Sequence, residues 1–261
     1  MEDEEIRSQI HQLKEQGYGG FYMHARAGLT LQYLGDDWMH ACRVAVEEAE
    51  KTGMQAWLYD ENGWPSGFAG GLVPALGDDY TAKHLYFIDY MPTEEDGEIL
   101  AAYKRLADGD YVRVQENAGA DLYCCLGRLK GYADLLNPKA MDAFIQFTHE
   151  KYKEEFGEYF GSVIPGIFTD EPQLVGKFPY TFAYPDKFTE TYGYDFFDCA
   201  WMLNMDGLTY APFKYQASKL VAEIFRSSFT KKINTWCDAN HLIFTGHFSN
   251  EDGLCEQTNA N

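Results

Sequence analysis

Val163-Ile164-Pro165-Gly166-Ile167-Phe168 runs without a break into Thr169-Asp170-Glu171-Pro172. A short continuous apolar run ending in acidic residues reads as a strand buried on both faces that delivers side chains at its C-terminal end. The same pattern occurs three more times. Gly19-Gly20-Phe21-Tyr22-Met23-His24 runs on to Arg26, and Met54 to Tyr59 runs into Asp60-Glu61-Asn62-Gly63-Trp64-Pro65-Ser66-Gly67. Leu242 to Thr245 runs into Gly246-His247-Phe248-Ser249-Asn250-Glu251-Asp252.

Helical periodicity fills the intervals. Ile6, Ile10 and Leu13 predict a helix over 4–16 that stops at Gly17. Asp36 or Asp37 caps a second helix with the stripe Trp38, Ala41, Cys42, Ala45 and Ala49, ending at Gly53. Asn137-Pro138 opens a third, whose face runs from Met141 through Phe144, Ile145, Thr148, Tyr152 and Phe156 to Tyr159. A fourth covers about 212–240. Alternating helices and continuous apolar strands imply right-handed βαβ units and a parallel sheet. Between about 78 and 134 the pattern changes to short runs at His84–Tyr90, Ile99–Leu106, Tyr111–Val114 and Asp121–Leu126, with turn signals at Asp96-Gly97 and Asp108-Gly109. That interval reads as an antiparallel β insertion.

The chain has 261 residues, 46% of them hydrophobic, and a formal net charge of −20. The apolar fraction excludes intrinsic disorder. The charge argues against nucleic acid or an anionic membrane as partner, since both repel such a surface. No apolar run is long enough to span a bilayer, and the acidic start, Met1-Glu2-Asp3-Glu4-Glu5, is not a secretory signal. Of the six cysteines, most sit in apolar patterns and none forms a C-x-x-C pair. They read as buried free thiols of a reducing compartment, so a cytoplasmic location is expected. Aromatic residues make up 16% of the chain, which suits either a well-filled core or a surface that stacks flat substrates.

The polar residues after the four strands are the candidate site: His24 and Arg26; Asp60, Glu61 and Asn62; Asp170 and Glu171; His247, Glu251 and Asp252. In parallel α/β folds that edge is where sites are built. Any one of these residues alone is more simply a solvated loop or capping side chain; the recurrence over four strands favours a site. In an extended segment Asp170 and Glu171 point apart, so one should face the site and the other brace a loop. Trp64 either stacks a sugar ring or plugs the mouth of the fold. Nucleotide-binding and nucleophile-elbow motifs are absent, and no cysteine has a convincing histidine partner. His24, Asp60, Asp170 and His247 could hold a divalent metal, but no ligand spacing supports it, so no metal ligand is assigned. His11, His40, His84, His149 and His241 read as surface or packing residues.

Taken together, Gly19 to Leu29, the Tyr59-Asp60-Glu61…Trp64-Pro65-Ser66-Gly67 block, Leu135-Leu136-Asn137-Pro138, Phe168-Thr169-Asp170-Glu171-Pro172, and Thr245-Gly246-His247 with Glu251-Asp252 and Gln257-Thr258 resemble glycoside hydrolase family 106, the bacterial α-L-rhamnosidase type. The resemblance implies a (β/α)₈ TIM-barrel catalytic domain and hydrolysis of a glycosidic bond with inversion, the substrate being a carbohydrate. Glu171 corresponds to the general acid. His24, Arg26, Asp60, Glu61, Trp64, Asp170, His247 and Glu251 correspond to sugar-binding or site-bracing residues. No cofactor is implied, with calcium left open. Inversion needs a protonated carboxyl on the leaving oxygen and an ionised one activating water on the opposite face. The family's barrel begins with a strand that has no counterpart here, and only four strands can be read before Asn261. The expectation is therefore a partial barrel whose remaining strands, including the one carrying the base, belong to a longer protein; Glu251 and Glu61 are the bases to test within this chain. A non-catalytic carbohydrate-binding module and a metal-dependent hydrolase are the competing readings.

Overall fold

A computed structural model of the protein describes residues 2–26, 28–117 and 119–247. The architecture is mixed α/β: a four-stranded parallel sheet and a separate five-stranded antiparallel sheet. The parallel strands are β1 (Gly20–Ala25), β2 (Gln55–Asn62), β7 (Gly166–Asp170) and β9 (Ile243–His247), in the spatial order β1-β2-β7-β9. All four predicted runs are strands, and their neighbours follow chain order. The described residues form an open sheet rather than a closed barrel.

Alternation along the strands separates two faces. Met23, Ala25, Ala56, Leu58 and Ile167 are buried on the helix side. There they meet α1 (Asp3–Glu15), which buries Ile6 and Ile10, and α2 (Asp36–Thr52), which buries Trp38, Cys42, Ala45 and Ala49. Tyr22, Trp57 and Phe168 form the other face, their rings 5.3–5.7 Å apart around Tyr22. The cap of α2 is Gly35 rather than either aspartate; Asp36 and Asp37 lie in the first turn, where a carboxylate still complements the helix dipole. Gly53 ends this helix in the left-handed conformation, as its position predicts.

The antiparallel sheet comprises β3 (Thr81–Ile88), β4 (Glu98–Arg105), β5 (Tyr111–Val114), β6 (Leu122–Ala133) and β8 (Phe178–Tyr180), ordered β5-β4-β6-β3-β8. Four of these strands lie in the interval 78–134. The fifth comes from beyond β7, so the chain returns to this sheet after leaving it. Cys124 and Cys125 point to opposite faces of β6, one into the main core and one into a small second cluster with Ala102 and Tyr123.

Most of the aromatic content fills the core. Phe188 lies within 4.8–6.1 Å of Tyr184, Tyr192, Tyr194, Phe196 and Phe213. This cluster joins α5 (Tyr184–Tyr192) and α6 (Phe196–Cys199) to α7 (Ala211–Phe225). Each such ring pair adds about 0.5–1.5 kcal/mol beyond its buried area.

Two predicted helices are interrupted where a hydroxyl competes for a helix carbonyl. The third is α3 (Pro138–Phe147) followed by α4 (His149–Phe156); at the break the Thr148 hydroxyl donates to Phe144 O at 2.7 Å. Asn137 caps α3 through its side chain, as predicted. The fourth is α7, a π-helical turn over Arg226–Thr230, and α8 (Lys231–Ala239). In that turn Ser228 Oγ lies 2.8 Å from Ile224 O and 2.6 Å from Leu135 O.

Candidate active site

The C-terminal ends of the parallel strands enclose an open cleft of about 560 Å³. Its charged and polar lining is His24, Arg26, Asp170, Glu171 and His247; Tyr22, Tyr59, Trp64 and Phe168 supply aromatic surface. His24 stacks on Tyr59 with ring centroids 3.4 Å apart, and burial followed by the nearby Arg26 charge lowers its pKa. Asp170 Oδ2 lies 2.7 Å from the Tyr59 hydroxyl, and Oδ1 lies 3.7 Å from His247 Nδ1. The Trp64 indole N–H donates to Glu171 Oε2 at 2.9 Å.

Both members of the Asp170-Glu171 pair therefore line the cleft, although extended backbone would point them apart. The reason is local. Glu171 has φ +44°, in the left-handed region that L-residues with side chains rarely occupy. Its amide donates to His247 O at 3.0 Å, and the change of backbone conformation brings its side chain round to the side that Asp170 already faces.

Asp60 and Glu61, expected as sugar-binding or site-bracing residues, are not among the residues lining the cleft. They belong to β2 rather than to the loop after it, and both are fully buried. Asp60 shares its face with Leu58, toward the helices. The Ser66 hydroxyl donates to its Oδ1 at 2.6 Å. Burial pushes its pKa up to about 8, with the Ser66 and Thr169 hydroxyls pulling it down and the charges of Glu61 and Asp170 adding to the rise. A bulge redirects Glu61: between the pairs Met23↔Leu58 and Ala25↔Asn62, β1 advances two residues and β2 four. The Glu61 carboxylate then accepts the backbone N–H groups of Asn62, Gly67, Phe68, Ala69 and Gly70 at 2.5–3.1 Å. Burial raises its pKa and these amides lower it. Glu61 braces the loop, and this burial excludes it as a base that activates water at the cleft.

The site also rests on residues that motif reading passed over. Tyr22 and Phe168 stand two positions before His24 and Asp170, so strand alternation places them on the same face; that signal was available. Ser66 is fully buried and bonds Asp170 twice: Ser66 N donates to Asp170 O at 2.7 Å, and Asp170 N donates to Ser66 Oγ at 2.8 Å. Tyr132, at the end of β6, donates to Ser66 O at 2.7 Å and accepts from Gln173 N at 2.9 Å. Nothing in the sequence marks Tyr132 as part of a site.

The other histidines pack or pair at the surface. His11 meets Glu48 and His40 meets Asp3; His149 is buried between Phe144 and Trp236, and burial drives its pKa down to about 3. Burial pushes the Cys42 and Cys237 thiols up to about 12, away from nucleophilic reactivity. Among the described residues no group of three or more His, Cys, Asp or Glu side chains is arranged to hold a metal ion, and no helix is long and apolar enough to cross a membrane. Glu251, Asp252, Cys255, Gln257 and Thr258 lie outside the described residues.

No family model and no curated protein matches the chain. Among solved structures the fold is similar to that of a rhamnosidase from Novosphingobium sp. PP1Y, with a TM-score of 0.63 at 11% identity. The match covers 95% of this chain and 45% of that one, so the chain spans less than half the length of the structure it resembles. At this identity the likeness concerns the fold alone.

Proposed function

We propose that the cleft binds a carbohydrate and belongs to a glycoside hydrolase of the α-L-rhamnosidase type, with Glu171 as the acid that protonates the leaving oxygen. The observation that carries this reading is the pairing of an acidic side chain with an exposed indole. Glu171 Oε2 accepts the Trp64 N–H, and the Trp64 ring remains about half exposed beside it. A carboxyl at the mouth of a cleft, next to a flat apolar ring, suits a sugar: the ring packs against C–H faces and the carboxyl reaches the glycosidic oxygen. Asp170, His24 and His247 offer further polar groups to hydroxyls, and Arg26 stands at the rim.

The reaction the reading implies is single displacement. Glu171 donates its proton to the departing oxygen while a second carboxylate takes a proton from water attacking the opposite face of the sugar. Asp170 is the other described carboxylate lining the cleft, but it adjoins Glu171 in the chain and lies against the Tyr59 hydroxyl, so the reading does not make it the base. The reading places the base in Glu251 or in further sequence comparable to the part of the rhamnosidase that this chain does not cover. The similarity in fold to a protein named rhamnosidase supports the sugar class.

Glu171→Gln tests the assignment in the full-length protein. Turnover of an alkyl α-L-rhamnoside should fall about 10²–10⁴-fold, and turnover of a nitrophenyl α-L-rhamnoside, whose leaving group needs no proton, by much less. Equal losses on both substrates would make Glu171 a binding residue. No turnover of either by the unsubstituted protein, with saccharide binding retained, would favour the non-catalytic module.

A further inference from the structure

The parallel sheet carries the cleft, but part of what fixes the acid comes from the antiparallel sheet. Tyr132 is the penultimate residue of β6, is 6% exposed, and lays its ring against Phe68 at 5.4 Å. Its hydroxyl uses both of its hydrogen-bonding roles on two loops of the other sheet: it donates to Ser66 O after β2 and accepts from Gln173 N after β7. Ser66 in turn grips Asp170 by two bonds and donates to the buried Asp60. The turn from Asp170 to Gln173 is thus held at its first residue by Ser66, at Glu171 N by His247 O and at its last residue by Tyr132.

Between these fixed points lies Glu171 at φ +44°. A non-glycine residue holds such a backbone only where its surroundings impose it. Removing one tie frees the turn to relax toward ordinary φ, and the carboxyl then leaves the Trp64 indole. Gly67, beside Ser66, is fixed independently: it has φ +121°, and a Cβ there would sit 2.6 Å from Leu135 Cδ2.

From this arrangement we infer that Tyr132 is a positioning residue for Glu171, and that the antiparallel sheet serves the site by holding the turn that presents this carboxyl. The catalytic part of the inference rests on the reading of Glu171 as the acid; the structural part does not.

Tyr132→Phe keeps the ring and removes both hydrogen bonds. Amide hydrogen exchange, resolved by residue, reads the turn directly. Exchange at Gln173 should accelerate on the order of tenfold or more, and at Asp170 and Glu171 by less, with β1 and β9 amides unchanged. Unchanged exchange at Gln173 overturns the inference, as does acceleration spread over both sheets. In the kinetic arm, kcat on the alkyl rhamnoside should fall about tenfold with KM within twofold, and the nitrophenyl rhamnoside should be nearly unaffected. Loss of both substrates equally, or a change in KM alone, overturns the positioning role. If the unsubstituted protein turns over neither substrate, the proposed function fails while exchange still decides the clamp. Should Tyr132→Phe fold poorly, Ser66→Ala opens the same turn from its other end, and faster exchange at Asp170 is the expected result; no change there overturns the inference.

Discussion

Two Asp-Glu dipeptides stand at the C-terminal ends of neighbouring strands, Asp60-Glu61 on β2 and Asp170-Glu171 on β7, and the sheet treats them oppositely. In the first pair both side chains are sealed from solvent, one against hydroxyls on the helix side and the other in a ring of five amides. In the second, both line the cleft. The residue types are identical, so the difference comes from the backbone: a bulge in β2 turns Glu61 into its own loop, and a left-handed residue after β7 turns Glu171 outward. One pair builds the scaffold that the other needs.

The sharpest way to break this contrast is to neutralise each member in turn. Glu61→Gln should have the largest effect on stability. The amide keeps one acceptor oxygen and presents an N–H₂ group to backbone donors, leaving several buried amides unpaired. The loss should be about 4 kcal/mol, or on the order of 10 °C in Tm by calorimetry, against a total stability of about 5–15 kcal/mol. A small effect would mean that the loop is held by something other than this carboxylate.

Asp60→Asn should act through pH. The raised pKa means that folded Asp60 holds a proton over the range from about pH 4, where the unfolded chain loses it, to about pH 8. Across that window stability falls as pH rises, by at most about 1.4 kcal/mol per unit, and the contribution of the proton is gone above the folded pKa. The asparagine variant lacks this slope. Its Tm should approach or overtake that of the unsubstituted protein as pH increases from 5 to 8. Parallel Tm-against-pH curves would show that Asp60 is ionised throughout.

Glu171→Gln should have the smallest effect on folding. The carboxyl lies at the cleft mouth, where among the described residues it takes one exposed hydrogen bond, from Trp64, so Tm should stay within about 2 °C while the turnover expected under the proposed function falls. A stability loss comparable to that of Glu61→Gln would erase the distinction between scaffold pair and site pair.

The strands, their order and the polar edge were legible in the sequence because buried parallel strands leave continuous apolar runs, and these ended within three residues of the observed boundaries at β1, β2, β7 and β9. The convergence of His24, Asp170, Glu171 and His247 followed from that edge. The inward turn of Asp60 follows from alternation with Leu58 once β2 is seen to run on to Asn62, but the fate of Glu61 was not legible, since a bulge is a property of pairing between two strands and leaves no mark in either alone. Tyr132 was invisible for the same kind of reason: its partners, Ser66 and Gln173, are distant in sequence on both sides, and a tyrosine in a β-run reads as core. β8 was hidden inside an aromatic stretch whose helices dominate its periodicity.

The left-handed backbone at Glu171 sets folding and chemistry against each other at one position. Glycine would sit at φ +44° without steric penalty, and asparagine with less than glutamate. Drift at this codon toward either residue is therefore downhill for the fold. Only a requirement for the carboxyl itself opposes that drift, so the position is a sensor of selection: under the proposed role of Glu171, descendants of this sequence released from that role should change position 171 among the first of the cleft residues.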